Sequence, residues 1–540
     1  MPQVTLGNRV ARRALALAAL VAVAVVAALP SSATAHPFGG EWRTGGHDLS
    51  NTRSNPFERA IKPGNASQLA VKWKATTTGD VSATPAVVGG AVYFPDWGGT
   101  LWKLDADTGE TIWSRKVADY VGIDGVFSRS SPAVVGNTLY IGTVNPACCA
   151  LSPPTVSAGY LLAVDTRTGD LRFKTLVEDH PSASITGSPV VHGRTVYMGV
   201  SSVEIRAVIF PTYKCCSFRG SMVAVDAITG KVRWKTHTIP ENGTDGDRFS
   251  GGTIWSGGPT IDPLTGTLYA TTGNNYSMPK SAYDCKAAGG TARECLPDWN
   301  IYDSVVAFDL RDGSIKWVHR ADWFDVWNGD CANPQNPGDD CPVPGPSYDY
   351  GAGATLFTVK DKNGKPRRLV GAAQKGGIYW MLDARTGKVV WQKRVGPDGD
   401  HWSGIQWGVA TDGKRIYFNE TNFGKKPHTM PDGTVIDYSS FGAIDPATGQ
   451  ILWQVPEPHG GMTQAAVSTA NGVVYIGSLN NHMYALDARN GALLWDFAGE
   501  GASNAGPSIA GGTVFWGNGY ANNRLGLPSK TFYAFHVPGT

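Results

Sequence analysis

Seven copies of one turn motif, a Tyr-bearing strand ahead of most of them, and an unpaired aromatic-ended strand near the N-terminus predict an all-β fold. The expected architecture is an eight-bladed β-propeller of four-stranded antiparallel blades, closed by pairing of N- and C-terminal strands. The turn motif reads LDADTGETIW at Leu104–Trp113, VDTRTGDLRF at Val164–Phe173, VDAITGKVRW at Val225–Trp234 and FDLRDGSIKW at Phe308–Trp317. It returns as LDARTGKVVW at Leu382–Trp391, IDPATGQILW at Ile444–Trp453 and LDARNGALLW at Leu486–Trp495.

Each part of the motif has a physical use. The Asp caps the turn, the Gly takes the positive φ that a tight hairpin needs, and the closing aromatic residue anchors one unit on the next. Upstream strands include AVYFPD at Ala91, TLYIGT at Thr138, TVYMGV at Thr195 and VVYIGS at Val473. The last unit, TVFWGN at Thr513 followed by FYAFHV at Phe532, has no aromatic-ended strand, whereas LAVKWKA around Trp73 has one and no turn before it. Trp73 therefore completes the last blade. Aromatic ends are 40 residues apart from Trp73 to Trp113 but 83 apart from Trp234 to Trp317. The excess falls in loops at 114–130, 144–160, 200–218, 276–301 and 321–350, the usual carriers of function on a rigid scaffold.

Residues 1–35 read as a secretory signal peptide: Arg9, Arg12 and Arg13, an apolar run from Ala14 to Leu29, then Ala33-Thr34-Ala35 as the cleavage site. The remainder, 36–540, reads as a single propeller domain, with no linker or low-complexity tract and no later stretch able to span a bilayer. The expected location is secreted or periplasmic. Lys and Arg number 47 against 45 Asp and Glu, which leaves no electrostatic reason for a nucleic-acid or anionic-membrane partner. Eight Cys in an exported chain argue for disulfides. Cys285 with Cys295, and Cys331 with Cys341, are each ten residues apart and can staple their own loops. The doublets Cys148-Cys149 and Cys215-Cys216 admit either vicinal or cross-pairing. No C-x-x-C-H occurs, so covalent haem is not expected.

The D-x-x-T-G-x-x-x-W hairpin resembles that of the pyrroloquinoline quinone-dependent alcohol dehydrogenases, and the chain is most similar to the polyvinyl-alcohol dehydrogenase branch, from about Trp42 to Phe535. An outer-membrane assembly lipoprotein shares the hairpin without a quinone, so the remaining segments carry the resemblance. TGSPVVHGRTVYMGVSSVE ends at Glu204, which matches a Ca²⁺ ligand, with Thr186, a quinone contact, 18 residues before it. GTIWSGGPTIDPLTGTLYATTGNNYS supplies Thr253 as a quinone contact, Trp255 as the indole floor and Asn274 as a calcium ligand. Lys375, in AAQKGG, matches the cation beside the quinone carbonyls, Arg129 a carboxylate-binding Arg, and Asn422 a further contact. Trp407, in GIQWG, belongs to a subfamily motif without an assigned role.

Two departures stand out. Phe127-Ser128 replaces the adjacent cysteines many members carry there, and a quinone-contacting Glu is replaced around Ser82. For the catalytic base, the Asp that follows Trp in the family is Asn328 here, which leaves Asp349, 26 residues before Lys375, or Asp325. Asp349 also completes the expected metal set. The resemblance implies oxidation of an alcohol, secondary or polymeric in this branch, by hydride transfer to the quinone. Electrons would leave to a separate acceptor such as a cytochrome c. The alternatives are a cofactor-free propeller serving as a binding or assembly scaffold, and a propeller hydrolase or lyase, for which loop residues such as His401 leave room.

Overall fold

A computed structural model describes residues 40–148, 153–210, 212–332, 341–360, 363–398, 401–521 and 525–539. The chain divides into residues 1–35, all outside the described residues, and a compact unit His36–Thr540. In the latter, eight sheets follow one another, each built on four antiparallel strands; two carry a short fifth strand, Ser54–Asn55 parallel to Ser468–Ala470 and Ala183–Ser184 against Thr195–Ser202. Blade 1 comprises Ala86–Val88, Ala91–Pro95, Thr100–Asp105 and Thr111–Lys116. Blades 2 to 7 span 133–178, 190–237, 260–320, 355–394, 410–456 and 468–498. Blade 8 takes three strands from 508–536 and its fourth, Ala70–Thr76, from the other end of the chain, with Trp73 opposite Ala534. The expected closure is thus formed. Among the described residues no helix is long and apolar enough to cross a membrane.

The repeat motif is the joint between blades. In all seven turns the Asp Oδ1 accepts the N–H two residues on, as Asp105 does from Asp107 and Asp445 from Ala447. The Gly of each turn has φ between 70° and 76°. It lies flat against the aromatic residue that ends the preceding blade. A Cβ there would fall 2.4 Å from Trp234 at Gly313, 2.7 Å from Trp391 at Gly449 and 2.6 Å from Trp73 at Gly109. The indole N–H then donates to a carbonyl of the same turn: Trp113 to Thr166 at 3.0 Å, Trp391 to Pro446 at 3.1 Å, Trp453 to Ala488 at 3.1 Å. In blade 2 the aromatic is Phe173, which has no N–H, and the Tyr140 hydroxyl donates to Ala227 O instead (2.8 Å). Trp495 meets the turnless blade 8 through Leu69 O (2.9 Å).

A second device holds the ring from its centre. Residues 42–55 form a belt bonded to each blade in turn. Trp42 exchanges backbone hydrogen bonds with Val87 of blade 1, and the carbonyl of Arg43 accepts from Val134 of blade 2. Thr44 Oγ1 donates to Pro189 O at the entry to blade 3. The carbonyls of Leu49, Ser50, Thr52 and Arg53 accept from Ile261, Leu356, Thr411 and Thr469 of blades 4 to 7, and Asn55 Nδ2 donates to Ile509 O of blade 8. Arg53, buried, reaches across to Val467 O, Gly45 O and Thr84 Oγ1 at 2.7, 2.7 and 2.9 Å. Burial lowers its pKa to about 10, so it stays charged at neutral pH.

Among the described residues the disulfides Cys285–Cys295, Cys331–Cys341 and the vicinal Cys215–Cys216 are formed. The first two are the loop staples expected from spacing, and the third decides the Cys215-Cys216 doublet. Cys149 lies outside the described residues.

The joint makes a direct prediction. Gly313→Ala adds a methyl 2.4 Å from Trp234 at φ +72°, whereas Gly413→Ala, at φ +80°, meets nothing within 4 Å. The backbone penalty, about 1–2 kcal/mol, is common to both. Thermal melts at one scan rate should show a clearly larger fall in Tm for Gly313→Ala. Equal falls would mean that the aromatic docking carries no load.

Candidate active site

The loops after the second strand of each blade and those linking one blade to the next open at one end of the ring, around a cavity that encloses about 860 Å³ with its mouth. Its lining includes Arg129, Thr186, Thr253, Trp255, Asp349 and Lys375, six of the residues named from sequence. They come from the crossings of blades 1 to 2, 2 to 3, 3 to 4 and 4 to 5, and from the turn after the second strand of blade 5.

These groups are wired to one another. Trp255 Nε1 donates to Asp349 Oδ2 (2.9 Å), and Lys375 Nζ lies 3.2 Å from the same oxygen and 5.1 Å from the centre of the Trp255 ring. The Lys375 amide donates to Asp349 O (2.9 Å), so main chain as well as side chain ties the two together. Asp349 Oδ1 has only long contacts, 3.3 Å to the Asn274 amide and 3.5 Å to Ser347 Oγ. Gly273 is required beneath them: a Cβ there would fall 2.9 Å from Asp349 Oδ2 and 3.0 Å from Trp255 Nε1. Thr186 Oγ1 donates to Trp255 O (2.8 Å), and Thr253 Oγ1 pairs with the Tyr276 hydroxyl (3.2 Å). The Arg129 guanidinium is 4.9 Å from the Trp97 ring and 4.5 Å from that of Trp407, both within cation–π range. Trp407 has φ +61° and meets Trp255 edge-on at 5.1 Å. Its function in the fold is therefore to bridge Arg129 and Trp255.

The repeat has a matching family model, described as outer membrane protein assembly factor BamB, over residues 64–212, 154–319 and 438–525, more than half of the chain. That description is of an assembly factor, whereas the curated relatives are named as dehydrogenases. A polyvinylalcohol dehydrogenase of a Pseudomonas species is 29% identical over 92% of this chain and 77% of its own length. That of a Sphingopyxis species is 28% identical over 89% and 75%. The quinohemoprotein alcohol dehydrogenase ADH IIB of Pseudomonas putida is 25% identical over 91% and 74%. The chain belongs to the quinoprotein alcohol dehydrogenase family. It is an oxidoreductase of that family, and the scaffold and hydrolase alternatives fall away. The fold agrees: the solved quinohemoprotein alcohol dehydrogenase ADHIIG of Pseudomonas putida superposes with a TM-score of 0.69 at 21% identity, over 93% of this chain and 81% of that one.

The other expected site residues of this quinoprotein lie behind or away from the cavity wall. Asn274 is buried, its Nδ2 bonded to Asn275 O and Trp327 O (2.5 and 2.8 Å), while its Oδ1 has no hydrogen-bond partner. Glu204 is buried beside the wall residues Ile205 and Arg206. Its Oε1 accepts from Tyr213 Oη and the Ser217 amide (2.9 and 2.8 Å), and Oε2 only from the Phe218 amide (2.8 Å), which leaves that oxygen a lone pair. Asp325 does not line the cavity. Its carboxylate accepts the amides of Ser347 and Tyr348 (2.9 and 2.6 Å), so it shapes the segment that presents Asp349. Asn422 is not brought to the site: Nδ2 donates to Lys426 O (2.7 Å) and Oδ1 accepts the Lys426 amide (3.0 Å), closing its own loop. His401 stacks on Trp327 at 4.4 Å, and burial, then the Lys375 charge, lower it to about 4.

Gln406, Arg206 and Asp303 are among the residues of the site that the sequence motifs did not single out. Gln406 lines the cavity next to Trp407, in the very GIQWG segment whose role had no assignment. Arg206, two residues after Glu204 on the short helix Glu204–Ala207, adds a third cation to the wall, and burial lowers its pKa. Asp303 lies with its carboxylate oxygens within 4.8 Å of those of Asp325 and Asp349. Burial, then the charges of Asp325 and Asp349, raise its pKa well above the ordinary carboxylate value. Burial also raises Asp325, to about 6.

Asp325→Ala would leave two buried amides without an acceptor, each a loss of about 1–3 kcal/mol. It should lower Tm distinctly, whereas Asp325→Asn, which keeps one acceptor oxygen, should fall between. A melt unchanged in Asp325→Ala would mean that the 347–349 segment is held by other contacts.

Proposed function

We propose that this cavity binds pyrroloquinoline quinone with a divalent cation, Ca²⁺ in the first instance, and oxidises an alcohol, with secondary and polymeric alcohols such as polyvinyl alcohol as the substrate class. One observation carries the reading: a single cavity gathers an indole, three cationic side chains and a hydrogen-bonded carboxylate. A planar, multiply anionic ligand is what such a set complements. The residues fit the group. Trp255 offers a ring for stacking. Arg129, Arg206 and Thr253 offer donors for carboxylates, Thr186 a hydroxyl that would turn from Trp255 O to do the same, and Lys375 a charge beside the carbonyls. The unpartnered Asn274 Oδ1, Glu204 and Asp349 would supply oxygens of the hard kind that Ca²⁺ prefers.

When bound, the quinone supplies hydride-accepting chemistry. The protein supplies position and proton transfer. Oδ2 of Asp349 is committed to Trp255 Nε1 and to the Lys375 ammonium, so Oδ1, with its two long contacts, is the atom that takes the alcohol proton. Lys375 stabilises negative charge that develops in the cavity. Trp97, Trp402, Trp407 and Ile205 give the mouth apolar walls suited to the carbons flanking a carbinol. The polyvinylalcohol dehydrogenases are the relatives that support the polymeric class. The enzyme is exported under the signal in residues 1–35 and passes electrons to a separate acceptor such as a cytochrome c.

Loaded with quinone and Ca²⁺, the enzyme should turn over ethanol, 2-propanol and polyvinyl alcohol in a dye-linked assay. Asp349→Asn should keep quinone binding and lose kcat by roughly 100-fold or more. Turnover near wild type in Asp349→Asn would reject Asp349 as the base and move that role to Asp325.

A further inference from the structure

A second group of ligating side chains lies outside the cavity, where blade 6 hands over to blade 7. His459 is in the turn that follows the last strand of blade 6, Ile451–Pro456. His482 opens the third strand of blade 7, His482–Asp487, and Asp496 is in the fourth, Leu493–Ala498. Asp496 meets both imidazoles, with Oδ1 2.6 Å from His482 Nδ1 and Oδ2 2.8 Å from His459 Nε2. The two rings face each other with centroids 4.0 Å apart. The three ligand atoms all lie within 4.8 Å of one another, and the side chains are part-exposed, at 46%, 22% and 28% for His459, His482 and Asp496.

The arrangement is held from behind. Glu457, 1% exposed, accepts the amides of His459 and Gly461 on Oε2 and bonds from Asn480 Nδ2 and the Tyr484 hydroxyl on Oε1. Asn480 Oδ1 in turn accepts the His482 amide (3.3 Å). One buried carboxylate thus fixes the turn that carries His459 and, through Asn480, the backbone of His482. The imidazoles are presented by a rigid frame, not by freely moving loops.

The geometry points to a site for a borderline divalent transition metal such as Zn²⁺, held by His459 Nε2, His482 Nδ1 and a carboxylate oxygen of Asp496, with a fourth position open to water. Two imidazoles and a carboxylate are a ligand set that such ions favour, whereas Ca²⁺ and Mg²⁺ take all-oxygen sets. Metal–ligand bonds of about 2.0–2.2 Å in a tetrahedron put ligand atoms roughly 3.3 Å apart. The present 2.6 and 2.8 Å need open only by about 0.5–0.7 Å to reach that spacing, within reach of part-exposed side chains. The ion takes the place between each imidazole nitrogen and Asp496, with each neutral imidazole carrying its one proton on its other ring nitrogen, and clamps the exit turn of blade 6 to blade 7. The site owes nothing to the quinone and stands whether or not the cavity binds one.

The test uses the whole chain, chelator-washed and kept in excess Ca²⁺ so that oxygen-lined sites are filled. Calorimetric titration with ZnCl₂ should show one strong site per chain and a rise in Tm, and Co²⁺ should give the intense visible absorption of tetrahedral coordination. His482→Ala and Asp496→Asn should each weaken Zn²⁺ binding by roughly tenfold or more. If either variant is poorly folded, His459→Gln, in the more exposed turn, serves in its place. Absence of Zn²⁺ binding by the wild-type chain, or variants that bind as tightly as wild type, would overturn the proposal.

Discussion

An aromatic ring laid flat on a glycine is the contact on which the rest of this molecule depends. A blade of four antiparallel strands has two apolar faces and cannot bury them alone. Trp234 on Gly313, or Trp391 on Gly449, fixes how far apart and in what register two blades meet. The left-handed backbone of the glycine admits the ring, the Asp holds the turn that presents it, and the indole N–H finds a carbonyl that would otherwise be buried unmet. Repeated round the ring, the joint leaves no free sheet edge between first and last blade, since Ala70–Thr76 completes the sheet begun at 508.

The site is a consequence of that regularity. Trp255, Asp349 and Lys375 lie far apart in the chain and meet because successive blades deliver their connecting loops to one end of one axis. The central belt at 42–55 ties the first strands of the blades together, and the Arg53 charge is satisfied by carbonyls and hydroxyls, not by a carboxylate. In the cavity the balance is different. Arg129, Arg206 and Lys375 face one carboxylate on the wall, Asp349, while burial and the neighbouring carboxylates raise the pKa of Asp303. Three cations against one carboxylate leave a surplus of positive charge that an anionic ligand would complement.

What could be read from the chain was what repeats. The D-x-x-T-G-x-x-x-W rhythm reports a local geometry, so blade count, closure through Trp73 and the two ten-residue disulfide loops were all legible. Residues 42–55 carry no such rhythm. Six of their links to the blades run through their own backbone carbonyls, and carbonyls are the same in every sequence. Within the site, Asp325 and Asp349 both had a case from spacing, and only three-dimensional placement sets one against backbone amides and the other against Trp255 and Lys375. Asn422 and Gln406 illustrate the same limit: two amides 16 residues apart flank one strand pair, and the nearer motif was the one without an assigned role. Arg206 gave no signal, because an Arg on a one-turn helix is ordinary until the cavity beside it is known.

The central claim is that the cavity is shaped and charged for a planar anionic quinone held with a divalent cation. Calorimetric titration of the chelator-washed protein with pyrroloquinoline quinone, with and without added Ca²⁺, measures this directly, before any substrate is involved. The account predicts one quinone per chain, with affinity that depends on Ca²⁺ and is weakened in Trp255→Ala and Asn274→Ala. No uptake of quinone in the presence of Ca²⁺, by a chain whose melting curve shows it folded, would contradict it.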